Sequence, residues 1–143
     1  VVVEKYELQP VSSVDKCADA YRFVASSRGS HIIKMKDNLI VRVRLDRLTQ
    51  GLEDARSRCG FFYEYEAKTL YEIAPLINRK FQTLAYYGLE PSVMRSFVEE
   101  NRPSGIDRIV PIGRTLDFSL VWDGYDLIGM LSRKVSIFPC IMI

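Results

Sequence analysis

From residue 61 onward, short aromatic or β-branched runs alternate with stretches of helical periodicity, and this alternation constrains the fold more than any other feature of the chain. Residues 61–65, 81–87, 106–112 and 135–138 read as strands. Between the first two, Thr69-x-x-Glu72 opens a helix through Leu70, Ile73 and Ile77, with Pro75 kinking it or sitting near its first turn. Pro91 suits the first turn of a second helix, with Met94, Phe97 and Val98 on one face and a stop at Asn101-Arg102-Pro103. Asp123 is placed to cap a third, whose Leu127, Ile128 and Leu131 face inward. Strands separated by helices are joined most simply by crossovers, so the expectation is an α/β fold: a mostly parallel sheet with helical crossovers, plus a β-hairpin.

The hairpin lies in the first half of the chain, over residues 31–45. A strand over residues 1–8 ends at Pro10, Ser12-x-x-Asp15 signals a helix start, and Val14, Cys17, Ala18, Tyr21, Val24 and Ala25 recur at helical spacing up to Gly29. In the hairpin, a two-residue loop at Asp37-Asn38 mixes Lys34 with Val41 on one face. A loop of odd length gathers Ile33, Met35, Val41 and Val43 on one face and Lys34, Lys36, Arg42 and Arg44 on the other. A one-residue slip moves every side chain to the opposite face, so the odd loop is preferred. By the same parity His31 falls on the apolar side, as a hydrogen-bonded core or edge residue rather than a catalyst. A short helix from Leu52 precedes the first aromatic strand.

Composition narrows the class without naming a chemistry. The 143 residues are 48% hydrophobic and 27% charged, which suits one domain, 1–143, and excludes wholesale disorder. No apolar run approaches the ~20 residues that a membrane-spanning helix needs. A net charge of +2 is no footprint of a polyanion partner, so neither nucleic acid nor a membrane span is expected. Cys17, Cys59 and Cys140, with one histidine, offer neither a disulfide framework nor zinc-ligand spacing. Reduced thiols fit a cytoplasmic protein. Dinucleotide, Walker, zincin and nucleophile-elbow motifs are missing. The start at Val1 without a leader and the apolar end Phe138-Pro-Cys-Ile-Met-Ile143 raise the expectation of a piece of a longer protein.

Two Gly-containing turns carry the remaining interest: Gly105-Ile-Asp-Arg-Ile-Val-Pro-Ile-Gly113 and Trp122-Asp-Gly-Tyr-Asp126. Turns of this kind collect at the carboxyl edge of a parallel sheet, where ligands bind. The plainer reading makes Gly113 a turn, Asp123 a helix cap and Arg108 a surface ion pair, and spacing alone does not choose between them.

The run Phe81-Gln-Thr-Leu-Ala-Tyr-Tyr-Gly88, then residues 105–118, then Val121-Trp-Asp-Gly-Tyr-Asp-Leu-Ile128 with Leu131-Ser-Arg133, resembles the C-terminal end of acyl-CoA reductases of the bacterial-bioluminescence type, the reductase component of fatty acid reductase. The similarity runs from about residue 61 to 137 and is fainter over residues 1–54. The resemblance implies the C-terminal part of an aldehyde dehydrogenase-like catalytic domain. It further implies NADPH as cofactor, acyl-CoA or an acyl-carrying protein as partner, a long-chain aldehyde as product, and a homo-oligomeric parent enzyme. A cysteine thioester would carry the acyl group, as a thiolate can. That cysteine is expected upstream, so the piece alone would be inactive, with the cofactor held mainly by the missing part and no metal. Motif-matched positions that would border the active face are Gln82, Thr83, Arg108, Gly113, Trp122, Asp123 and Gly124. Trp122 stands where some relatives have His before Asp-Gly. The competing expectation is a stand-alone interaction module using the basic hairpin or an exposed sheet edge.

Overall fold

A computed structural model describes residues 9–33 and 39–138. The expected strand over residues 1–8, the hairpin tip with Lys34 and Lys36, and Cys140 lie outside the described residues. The fold is mixed α/β with small sheets, and the chain divides into two compact units, Val1–Leu76 and Ile77–Ile143.

The first unit builds its core on one strand. Helix α1 (Pro10–Ser26) starts at Pro10 rather than after Ser12, because a proline with its fixed φ suits the first helical position and lacks only an N–H that would be unpaired there. Strands β1 (Ser30–Ile33), β2 (Val41–Leu45) and β3 (Phe61–Tyr65) form a sheet in the order β1-β2-β3. Alternation along β2 buries Val41, Val43 and Leu45, with Arg42 and Arg44 on the other face. Ala20 of α1 is buried against these three, and Phe23, Val24, Ile32, Leu52, Phe61, Tyr63 and Tyr65 pack around them. The expected helix stripe is rotated: Val14 and Tyr21 are exposed, while Lys16 and Ala20 are buried. The inward face is set by what the sheet offers. The Phe23 ring lies 4.6 Å from that of Tyr63, and Lys16 Nζ donates to the Leu39 carbonyl at 2.8 Å.

The hairpin register differs from the expected one by a residue. Ser30 pairs with Leu45, His31 with Arg44, Ile32 with Val43 and Ile33 with Arg42, the parity of the two-residue loop. Ile32 therefore joins the core face, and His31 is exposed beside Arg44. The odd register would have set the imidazole opposite buried Leu45. The observed one sets Ser30 there, its hydroxyl donating to the Ser27 carbonyl at 2.9 Å.

The pair β2–β3 is parallel, with a 3₁₀ turn at Leu52–Asp54 in its connection. On its outer face Arg42 grips Glu64 with two nitrogens and Arg44 bonds Glu66. The hydrogen bonds between Arg42 and Glu64 hold the guanidinium above, and the carboxyl below, their ordinary pKa ranges. The described half of the basic stripe is thus matched by acidic partners. Leu70–Leu76 is a 3₁₀ helix rather than the expected α-helix to Ile77; Pro75 within it has no N–H to donate to an α-helical ladder. Glu72 accepts from the Lys68 and Thr69 N–H groups, as the Thr69-x-x-Glu72 signal implies.

In the second unit, β4 (Thr83–Tyr86), α2 (Pro91–Asn101) and β5 (Arg108–Pro111) make one βαβ crossover, with β4 and β5 parallel. Helix α2 buries Met94 and Phe97 and ends at Arg102, whose N–H donates to the Val98 carbonyl. A two-stranded antiparallel ribbon, β6 (Val121–Trp122) and β7 (Tyr125–Asp126), leads into the short helix α3 (Leu127–Leu131). Asp126, not Asp123, caps α3, and Leu131 and Ile128 are exposed rather than inward. Residues 135–138 form no strand; Val135, Ile137 and Phe138 stand in the open.

Candidate functional site

Asp123 and Gly124 both have positive φ, 49° and 79°, the backbone of a two-residue hairpin turn between β6 and β7. Asp-Gly is a strong short signal for such a turn, because both central residues must enter the left-handed region. This removes Asp123 from any helix cap and turns it toward β4, where Gln82 Nε2 lies 3.5 Å from its Oδ2. A Cβ on Gly124 would come within 2.9 Å of Asp107 Oδ1, so the turn sits against the residue that leads into β5. The Gln82 carbonyl accepts from the N–H groups of Asp107 and Arg108 at 2.9 and 3.1 Å, locking the two strand entries together.

Arg108 follows at once. Its guanidinium lies over the Trp122 ring at 4.3 Å and donates to the Thr115 and Asp117 carbonyls. Phe118 stacks on the same indole at 5.2 Å. A cation between an aromatic face and two carbonyls is held in position rather than left to wander.

Beside this stack, a cleft of about 380 Å³ in the same unit is lined by Arg79, Gln82, Ser104, Gly105, Asp107, Asp123 and Tyr125. Gly105 is what lets the chain close one side of it: a Cβ there would fall 1.6 Å from the Asn78 carbonyl oxygen. Six of the seven lining residues bring polar side chains, and one arginine faces two carboxylates. The cleft can therefore orient a polar, neutral or cationic group by hydrogen bonds. It supplies neither a thiol nor an imidazole, and no group of three metal-ligating side chains occurs among the described residues.

Of the expected positions, Gln82 and Asp123 line this cleft, Gly124 turns against Asp107, and Arg108 and Trp122 stack together within the same unit. Thr83 pairs with Arg108 across the ladder and is exposed. Gly113, with φ 92°, turns the chain just beyond β5 and does not line the cleft. One sequence reading puts the two Gly turns at the carboxyl edge of a parallel sheet. Instead, Gly113 follows the end of β5 while the Asp123-Gly124 turn meets residues at the strand entries, so the cleft opens at the amino edge. Arg79, Ser104, Asp107 and Tyr125 are additional lining residues. For Asp107 the signal was its place beside Arg108, since strand entries that pair in parallel bring their preceding residues together. Of the thiols, Cys17 is half-buried and Cys59 exposed, both free and both in the first unit. Comparisons with protein-family models, with curated proteins and with solved structures find no match.

Proposed function

We propose that the chain is the C-terminal portion of the catalytic domain of an NADPH-dependent acyl-CoA reductase. In this reading it works in a cytoplasmic homo-oligomer that makes long-chain aldehyde through a cysteine thioester supplied by another part of the protein. The observation that carries the reading is the meeting of motif positions far apart in sequence: Gln82 with Asp123, and Arg108 with Trp122. Residues from three stretches of the resemblance thereby border one polar cleft. In this reading the cleft forms part of the wall facing the thioester and orients polar atoms of the acyl donor.

The cleft does not fit the cofactor itself. Asp107 and Asp123 outnumber Arg79 on its walls, and the phosphates of a dinucleotide would meet net negative charge. NADPH accordingly belongs to the part of the enzyme that supplies the cysteine. The other reading, a stand-alone interaction module, draws on the edge strands β1 and β3. It loses force where the arginines of β2 are matched by Glu64 and Glu66.

The test is NADPH oxidation and aldehyde formation with a long-chain acyl-CoA by the product of the full parent reading frame, beside the 143-residue chain. Turnover by the parent and none by the chain alone is the expected result. A parent reading frame of only these residues, or a longer product that yields no aldehyde, would overturn the proposal.

A further inference from the structure

A second cleft, of about 430 Å³, lies wholly in the first unit between the end of α1 and the exit of β2. Its walls include Arg28 and Arg47, the hydroxyls of Ser26 and Thr49, and the apolar side chains of Phe23 and Leu52. One step beyond the β1–β2 ladder, the Asp46 N–H donates to the Gly29 carbonyl at 2.8 Å. Arg28 and Arg47 flank that bridge, so the backbone holds two like charges at one cleft. Both side chains are exposed, and an anion between them would turn their like-charge repulsion into attraction to a shared partner.

Elsewhere on the same sheet the arrangement is the reverse. Arg42 and Arg44 each reach a glutamate of β3, whereas neither Arg28 nor Arg47 forms an ion pair among the described residues. Nor is Arg28 engaged in capping α1. The Phe23 carbonyl already accepts from the Ser27 N–H and the Ser26 hydroxyl, and the Ser27 carbonyl accepts from Ser30. Asp46, the adjacent carboxylate, lies against Gly29 and does not line the cleft.

We propose that this cleft binds a phosphate monoester. The two guanidinium forks would take the phosphate oxygens and the Phe23–Leu52 side the organic group. Paired planar guanidinium forks match the tetrahedral, multiply accepting phosphate better than any single cation does. A volume of this size admits a small phosphorylated molecule. The inference uses only the first unit and stands or falls independently of the reductase reading.

The experiment is a titration of the ¹⁵N-labelled 143-residue chain with phenyl phosphate, inorganic phosphate and sodium chloride at matched ionic strength. Expected are saturable amide shifts confined to residues 26–29 and 46–51, with phenyl phosphate binding more tightly than inorganic phosphate. Arg28→Gln and Arg47→Gln should each weaken binding about tenfold. Arg95→Gln, on α2, should change nothing. Equal shifts with chloride, or affinities unmoved by either cleft variant, would overturn the site. Equal affinity for the two phosphates would overturn the monoester assignment. The wild-type titration decides between phosphate and chloride even if a variant fails to fold.

Discussion

The two units differ in how much of their apolar surface they cover. In the first, a β-strand with three buried aliphatic side chains is sandwiched under a helix and flanked by two further strands. In the second, burial of large side chains rests on Met94 and Phe97, while Leu116, Phe118, Leu120, Leu131, Val135 and Phe138 are all exposed. Buried apolar area is the main source of folding free energy. The first unit is therefore organised around stability, and the second around a polar cleft framed by turns and short ribbons.

The sharpest way to break this contrast is to strike the close backbone approach in each unit. Gly105→Ala would drive a Cβ into the Asn78 carbonyl, and Gly60→Ala would drive one to 2.2 Å from the Leu39 oxygen at φ 78°. Each should cost on the order of 5 kcal/mol in a denaturant titration, because backbone atoms have no rotamer to escape into. The Gly105 change should also remove the cleft, while the Gly60 change leaves amide shifts of the second unit in place.

Next in size, Phe97→Ala should cost about 3–5 kcal/mol and Leu45→Ala about 2–5 kcal/mol. Hydrogen exchange should localise the two losses, one to each unit. If Phe97→Ala costs under about 1 kcal/mol, the second unit has no core of its own.

A smaller effect belongs to pH. Burial, reinforced by Asp19, pushes the Tyr63 hydroxyl up to about 12. Its ordinary value is near 10, so the neutral phenol is the form the fold favours. That contribution is complete below about pH 10 and is lost as pH climbs toward about 12. Alkaline melts should show the first unit weakening over this window, and Tyr63→Phe should flatten the dependence. At the acid end, the lowered Glu64 carboxyl adds stability above its ordinary range, and this is lost as pH falls through its folded value.

The smallest expected change is Trp122→Ala, which removes the surface under Arg108 and the stack with Phe118. It should lower stability by about 1 kcal/mol while leaving the first unit unaltered.

Much of the local structure was legible because its signals are local. Pro91 marks the start of α2, Met94 and Phe97 its buried face, and Phe61–Tyr65 a strand. What could not be read depends on partners distant in sequence. The hairpin parity turned on whether Ile32 or Ile33 meets Val43, a choice made by the core beneath α1. The inward face of α1 is hidden from the apolar pattern because Lys16, a charged residue, is buried on it and reaches the Leu39 carbonyl in the loop before β2. Pairing β3 with β2, and β4 with β5, likewise needs the sheet itself. Of the residues lining the cleft, Gln82 and Asp123 are motif-matched positions, whereas Asp107 needs the parallel register that sets the entries of β4 and β5 side by side. The Asp123-Gly124 turn is visible in the sequence as a turn; the helix cap expected of Asp123 falls instead to Asp126, because the hairpin turn uses Asp123 itself.

The most direct test compares one substitution from each unit in the longer reductase that the proposal requires, assayed for NADPH-dependent acyl-CoA reduction. Asp123→Asn keeps a residue that tolerates positive φ while removing one of the cleft's two carboxylate charges. Arg44→Gln breaks an outer-face ion pair of the first unit. The account predicts that Asp123→Asn lowers kcat/KM about tenfold or more with the melting temperature unchanged, the loss of one charge-assisted contact. Arg44→Gln should leave kcat/KM as it was. Aldehyde formation unaffected by Asp123→Asn would contradict the assignment of function to this cleft.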